Sequence, residues 1–133
     1  MIHPKAVAHL SIGASDLEAS QRFYTEVLGL ELVHRAPAYG MVFLKAGSDH
    51  VILCQAETRS QRTPAELRRA HHAFQVDAAQ YDAAKAHITS KGVQIFEEED
   101  RKKGVFVGRQ CYVRDPDGNV LEITEWNGVS VLE

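Results

Sequence analysis

The chain has 133 residues, of which 44% are hydrophobic and 25% charged, and its net charge is −3. This length fits one domain with a substantial core, and the mildly negative charge argues against nucleic acid and anionic membranes as partners. No apolar run approaches the roughly 20 residues of a membrane span, and residues 1–5 lack the apolar region of a signal peptide. Cys54 and Cys111 fall inside predicted strands and are expected to be reduced. We therefore expect a cytoplasmic protein.

The first half of the chain predicts one helix among four strands. A strand is predicted over residues 6–12, followed by a helix that is capped by Ser15 or Asp16 and ends before a glycine. Three further strands are predicted over residues 31–36, 40–45 and 50–56. Residues 57–69 are polar and charged, which is typical of a linker, with one helical turn beginning at Pro64.

The second half predicts the same order of elements. A strand is predicted over residues 71–76 and a helix from Asp77 to Ser90. The remaining elements are a short strand over 93–97, a charged loop over 98–103, and two strands over 105–114 and 120–126. The last two strands are joined by Asp115-Pro-Asp-Gly118, which is a turn because Pro fixes φ and Gly adopts positive φ.

This repetition indicates two related modules. A shift of 62 residues places His9 on His71 and Ile12 on Phe74. Such a repeat indicates that one structural unit occurs twice. A single module would leave one apolar sheet face uncovered, so it needs a partner. We therefore predict an α+β fold of paired βαβββ modules. Module one covers residues 5–57, a linker covers 58–69, and module two covers 70–127.

Three side chains at equivalent or turn-defined positions suggest a metal site. His9, His71 and Glu122 are each predicted on a central rung of a strand. A strand histidine is more often a hydrogen-bonded core residue than a ligand, and Glu122 alone could be a hydrated carboxylate. Two imidazoles and a carboxylate on converging faces, however, would bind a divalent transition metal and leave coordination positions open. The three together favour the metal site.

These residues carry a family resemblance. His9, the helical segment from Asp16 to Leu30, His71 and the stretch from Asp115 to Glu122 resemble the vicinal oxygen chelate superfamily. That superfamily includes glyoxalase I, fosfomycin-resistance thiol transferases, extradiol dioxygenases and bleomycin-resistance proteins. The resemblance implies a curved mixed sheet around a metal cavity, with Fe(II), Mn(II) or Ni(II) binding a small substrate through adjacent oxygens. It also implies a homodimer with the site built across subunits.

The fourth ligand position separates members of the superfamily. Glyoxalase I carries Glu or Gln there, on the last strand of the first module. Here the alignment places Leu53 in that position, with Gln55 one step along the same predicted face. With Leu53 in place, the two-His, one-Glu pattern resembles the extradiol dioxygenases and the fosfomycin enzymes.

The extradiol signature is matched in part. It requires a Tyr ten residues before the ligand Glu, and Tyr112 precedes Glu122 by ten residues. It also requires an upstream acid–base His, where this chain has Lys103. The resemblance therefore implies a dioxygenase-like, metal-dependent enzyme in which Tyr112 hydrogen-bonds an oxygen at the metal, although it could equally be an ordinary buried strand Tyr. Candidate substrate contacts are Gln110, Arg114, Gln55 and Tyr39. The alternatives are a glyoxalase-like isomerase, a thiol transferase, or a non-catalytic protein that binds an antibiotic or other small molecule.

Overall fold

A computed structural model describes all residues from 1 to 133. The chain separates into two compact units, Met1–Gln61 and Arg62–Glu133, here called the first and second unit. The boundary between them falls inside the predicted linker. None of the helices is long and apolar enough to cross a membrane.

The first unit is a four-stranded mixed sheet with one helix. Its elements are β1 (His9–Ala14), α1 (Leu17–Arg22), a π-helical turn (Phe23–Val27), β2 (Glu31–Ala36), a 3-10 turn (Pro37–Tyr39), β3 (Met41–Ala46) and β4 (Asp49–Gln55). The strand order is β1-β4-β3-β2, with β1 parallel to β4. Asp16, rather than Ser15, caps α1, because its carboxylate accepts a hydrogen bond from the Ala19 N–H at 3.0 Å.

The second unit repeats this arrangement. Its elements are α2 (Pro64–Arg69), β5 (His72–Gln75), a 3-10 turn (Ala78–Gln80), α3 (Tyr81–Ser90), β6 (Glu97–Arg101), β7 (Gly108–Arg114) and β8 (Val120–Thr124). The order β5-β8-β7-β6, with β5 parallel to β8, matches that of the first unit. The predicted α+β class with paired modules is therefore confirmed, and each module forms a four-stranded sheet of its own.

Three sequence-based expectations about strand positions are wrong. His9 is the first residue of β1 and His71 lies one residue before β5, so neither occupies a central rung. The predicted strand over 93–97 and loop over 98–103 are replaced by β6. Its Glu-Glu-Glu-Asp-Arg sequence suits an edge strand, because charged side chains on an edge oppose pairing with another chain.

The hairpin between β7 and β8 is confirmed, and the turn explains its sequence. The Gly118 N–H donates to the Asp115 carbonyl at 2.9 Å, and Gly118 adopts a φ of 87°. The buried Asp115 carboxylate accepts from the N–H groups of Asp117 and Asn119, each at 2.9 Å. This turn sets the register in which Tyr112 lies opposite Glu122.

Arg109 and Glu125 tie this hairpin to α3, and the link should be sensitive to acid. Arg109 donates to Glu125 through Nε at 3.1 Å and Nη2 at 2.8 Å, and through Nη1 to Asp82 at 3.1 Å. The hydrogen bonds from Arg109 lower the pKa of Glu125. A carboxyl with a lowered folded-state pKa stabilises the fold above its unfolded pKa and loses that contribution as pH falls through its folded-state pKa.

We therefore expect Glu125→Gln to lower stability at pH 7 more than at pH 3. Urea unfolding followed by circular dichroism at both pH values measures this difference. The exposed pair Lys102 and Asp100, tested as Asp100→Asn, serves as the control because surface ion pairs contribute little. An equal loss for Glu125→Gln at both pH values would contradict the assignment.

Candidate metal site in the second unit

The structure places an imidazole and a carboxylate in contact. His71 lies between the end of α2 and the start of β5, and Glu122 lies in the middle of β8. The His71 Nε2 is 3.3 Å from the Glu122 Oε1. Glu122 is only 6% exposed. A buried carboxylate is costly unless it is hydrogen-bonded, paired or bound to a cation, so its surroundings decide its role.

A backbone carbonyl orients the His71 ring. The His71 Nδ1 is 2.9 Å from the carbonyl oxygen of Arg68, at the end of α2. Since a carbonyl can only accept, this contact requires a proton on Nδ1. With the proton on Nδ1, the neutral ring leaves the Nε2 lone pair available to a metal ion. A histidine whose second nitrogen donates to a carbonyl in this way is typical of metal ligands.

Tyr112 completes the hydrogen bonding of the carboxylate. Its hydroxyl donates to Glu122 Oε1 at 2.7 Å and lies 3.3 Å from the Gln110 Oε1. Its ring packs edge-on against the His71 ring, with 5.6 Å between centroids. Burial raises the pKa of Tyr112, and the hydrogen bond to Glu122 raises it further. Tyr112 is therefore a neutral hydrogen-bond donor at neutral pH.

The donor pair fits a divalent transition metal. Two ligand atoms that are each about 2.0–2.2 Å from one ion lie about 3.0–3.5 Å apart at octahedral or tetrahedral angles, and the His71–Glu122 separation falls in that range. His9 is exposed at the start of β1 in the first unit. The chain has no group of three or more His, Cys, Asp or Glu side chains that could hold a metal ion.

The family is decided by a comparison with known proteins. Residues 6–123 of this chain match the family sequence model of the Glyoxalase/Bleomycin resistance protein/Dioxygenase superfamily. The chain belongs to this superfamily. The resemblance drawn from His9, His71 and the Asp115–Glu122 stretch is thereby confirmed.

Several members of the superfamily are similar to this chain. The glutathione transferase FosA of Serratia marcescens is 31% identical over 119 residues, which cover 90% of this chain and 79% of FosA. Biphenyl-2,3-diol 1,2-dioxygenase 3 of Rhodococcus globerulus is 29% identical, covering 88% of this chain and 61% of that protein. The lactoylglutathione lyase structure from Agrobacterium tumefaciens has a TM-score of 0.71 at 26% identity, covering 91% of this chain and 93% of that one.

Strand pairing identifies the residue of the first unit that is equivalent to Glu122. Ser11 pairs with Ile52, and Ala73, its equivalent in the repeat, pairs with Glu122. Ile52 is therefore the counterpart of Glu122 in the first unit. Leu53 pairs with the buried Ile12, so it lies on the opposite face from Ile52 and is fully buried.

Gln55 is the last residue of β4 and lies on the same face as Leu53, as the sequence predicted. Its Nε2 lies 3.2, 2.9 and 3.0 Å from the carbonyl oxygens of Ala14, Ser15 and Ala56. These bonds fasten the end of β4 to the end of β1. The sequence placed Leu53 at the fourth ligand position, one residue from Ile52, and in a strand a one-residue difference moves a side chain to the other face.

The three remaining candidates for substrate contact, Gln110, Arg114 and Tyr39, lie in different surroundings. Gln110 is buried beside the Tyr112 hydroxyl. Arg114 is exposed, with its guanidinium 3.7 Å from the centre of the Phe96 ring. Tyr39 is 81% exposed in the 3-10 turn of the first unit. Of these candidates, Gln110 lies with the His71–Glu122 pair.

Arg68 lies in the predicted linker, and the sequence did not indicate it as a residue of the site. Its guanidinium lies 3.9 Å from the centre of the Tyr112 ring and donates to both oxygens of Glu97 in β6. The hydrogen bond from Arg68 lowers the pKa of Glu97. The signals for a structured segment were present, because Thr63 and Glu66 form a capping box around Pro64. The sequence did not indicate where this helix docks.

Proposed function

We propose that this superfamily member is a metal-dependent enzyme in which His71 and Glu122 bind Fe(II), Mn(II) or Ni(II). The observation that supports this most is the 3.3 Å contact between His71 Nε2 and Glu122 Oε1, with Nδ1 oriented by a carbonyl. A bound divalent ion would supply Lewis-acid activation of a small substrate with two adjacent oxygens. The remaining residues of the site would bind and orient that substrate.

We propose His9 as the third ligand, contributed by a second copy of the chain in a homodimer. Superfamily proteins bind small molecules and are typically dimers. His9 is exposed and is the repeat equivalent of His71, which supports the assignment. Mixing His9→Ala chains with His71→Ala chains should then restore about one competent site per mixed dimer.

Tyr112 and Gln110 would act beside the metal ligands. The raised pKa of Tyr112 keeps its hydroxyl protonated, so it donates either to Glu122 or to a substrate oxygen. The Gln110 carbonyl oxygen limits the directions in which that hydroxyl can turn. We propose that Tyr112 is a catalytic residue and that Gln110 contacts the substrate from the same strand.

The reaction that we propose is transfer of a thiol to a small electrophile that carries adjacent oxygens. The thiol sulfur would bond to an oxirane carbon, the carbon–oxygen bond would break, and the oxygen would take up the proton. Support comes from the 31% identity to the FosA glutathione transferase. The absence of a histidine between His87 and Tyr112 also disfavours ring cleavage, which the sequence alone placed first.

A dioxygenase acting on a catechol-like substrate is the second candidate. The ten-residue spacing from Tyr112 to Glu122 matches the extradiol signature, and the two side chains are hydrogen-bonded at 2.7 Å. The 29% identity to a biphenyl-diol dioxygenase also favours it.

Two parallel assays test these reactions. Protein reconstituted with Mn(II) would be mixed with glutathione and a panel of small oxiranes that includes fosfomycin, and thiol loss would be measured. Protein reconstituted with Fe(II) would be given catechols while oxygen uptake is followed. We expect thiol loss that disappears in Glu122→Gln. Oxygen uptake without thiol loss would favour the dioxygenase, and metal binding with neither activity would favour a binding protein.

A further inference from the structure

Arg68 connects the end of α2 to Tyr112 and His71 in the candidate site. Helix α2 begins with a complete capping box, in which Thr63 Oγ1 accepts from the Glu66 N–H at 3.2 Å and Glu66 Oε2 accepts from the Thr63 N–H at 2.8 Å. Arg68 lies in the last turn of this helix, three residues before His71. Its side chain and its backbone carbonyl contact different parts of the site.

The guanidinium of Arg68 contacts two partners, the Glu97 carboxylate and the Tyr112 ring. Its Nε and Nη2 donate to the two carboxylate oxygens of Glu97 at 3.1 and 2.6 Å. Its central carbon, Cζ, lies over the Tyr112 ring, 3.9 Å from the ring centroid. A two-pronged contact with a carboxylate combined with stacking on an aromatic face is specific to arginine, because both interactions use the planar group.

The carbonyl of the same residue contacts the metal-ligand candidate. The Arg68 oxygen lies 2.9 Å from His71 Nδ1, while the Arg68 Nη1 lies 3.4 Å from that nitrogen. The shorter contact places the proton on Nδ1, since a carbonyl can only accept. Holding the guanidinium between Glu97 and Tyr112 would therefore also restrain the last turn of α2, which carries the carbonyl that contacts the His71 ring.

We propose that Arg68 is a positioning residue that holds His71 in the tautomer and orientation needed to bind a metal with Glu122. The proposal rests on the proposed function, because it concerns the same pair of ligands. It assigns a role to the segment between the two repeats, which contributes no ligand of its own. Glu97 in β6 then acts as the anchor for Arg68.

The first test measures metal affinity. Removing a group that orients a metal-binding histidine typically costs about 10–100-fold in affinity. We expect Arg68→Ala to weaken Mn(II) binding by about that factor in isothermal titration calorimetry, and Arg68→Lys to recover only part of it. The matched control is Arg101→Ala, which removes an exposed arginine whose ion pair with Glu99, on the same strand as Glu97, measures 2.6 Å. This control should bind Mn(II) within about twofold of the original protein, in keeping with the small contribution of surface pairs.

The second test reads the ring directly and needs no metal. Long-range nitrogen–proton correlation spectra of the metal-free protein report which ring nitrogen carries the proton. We expect the Nδ1–H form in the original protein and in Arg101→Ala, and a mixture of tautomers in Arg68→Ala. A contribution to stability alone would leave the tautomer unchanged.

The outcomes separate this proposal from the proposed function. If the original protein binds Mn(II) through His71 but Arg68→Ala keeps both the affinity and the tautomer, the role of Arg68 is overturned and the metal site stands. If the original protein binds no Mn(II), Fe(II) or Ni(II), the proposed function fails. The tautomer spectra then decide alone whether Arg68 orients the ring.

Discussion

Replacing His71 by alanine is expected to lower the affinity for Mn(II) by at least about 100-fold, because loss of a ligand should exceed the 10–100-fold cost of losing a group that only orients one. The imidazole supplies the Nε2 donor 3.3 Å from Glu122 Oε1. The thiol-transfer activity that we propose should also fall. The measurements are metal content after dialysis and calorimetric titration of metal-free protein.

The neighbouring His72 provides the matched control. It is the first residue of β5 and pairs with Leu121, one position away from the pairing of Ala73 with Glu122. Burial lowers the pKa of His72, as expected for a side chain that packs in the fold rather than facing water. We expect His72→Ala to lose some stability but to bind Mn(II) within about twofold of the original protein. Equal loss of affinity in both variants, or none in His71→Ala, would contradict the ligand assignment.

Replacing Leu53 by glutamate should destabilise the first unit strongly. Leu53 is fully buried and pairs with Ile12 and Val42, which are both buried. A carboxyl there would have to be buried with its charge or take up a proton, and the leucine contacts would be lost. We expect the free energy of unfolding to fall by at least about 3 kcal/mol, the range seen for large-to-small core changes and for buried unpaired charges.

Ile52→Glu tests the same substitution on the opposite face. Ile52 is half-buried and is the first unit's counterpart of Glu122. We expect this variant to fold with a loss of less than about 1.5 kcal/mol, since its side chain can reach water. Far-UV circular dichroism during urea unfolding measures both variants, since the single tryptophan, Trp126, lies in the second unit. Similar losses in the two variants would show that the assigned faces are wrong.

The features that the sequence predicted are those set by local chemistry. The Asp115–Gly118 turn follows from a proline, a glycine and an aspartate that accepts from its own backbone. The repeat is visible because a shift of 62 residues aligns His9 with His71, and it predicted the correct fold class. Asp16 caps α1 because its carboxylate reaches an N–H three residues on.

The features that the sequence did not predict depend on contacts between distant residues. Strand β6 carries five charged residues in a row and forms because β7 offers it hydrogen bonds. The face of Leu53 depends on the pairing of β4 with β1, and a one-residue error reverses it. Arg68 reaches Tyr112, 44 positions further along the chain, so no local pattern indicates the contact.

A crystal structure of the protein grown with Mn(II), with anomalous diffraction used to locate the ion, tests whether His71 and Glu122 bind one metal ion. We predict one anomalous peak at about 2.0–2.3 Å from both His71 Nε2 and Glu122 Oε1, with a His9 imidazole as a further ligand. Crystals at saturating Mn(II) that show no ion at the His71–Glu122 pair would contradict the account.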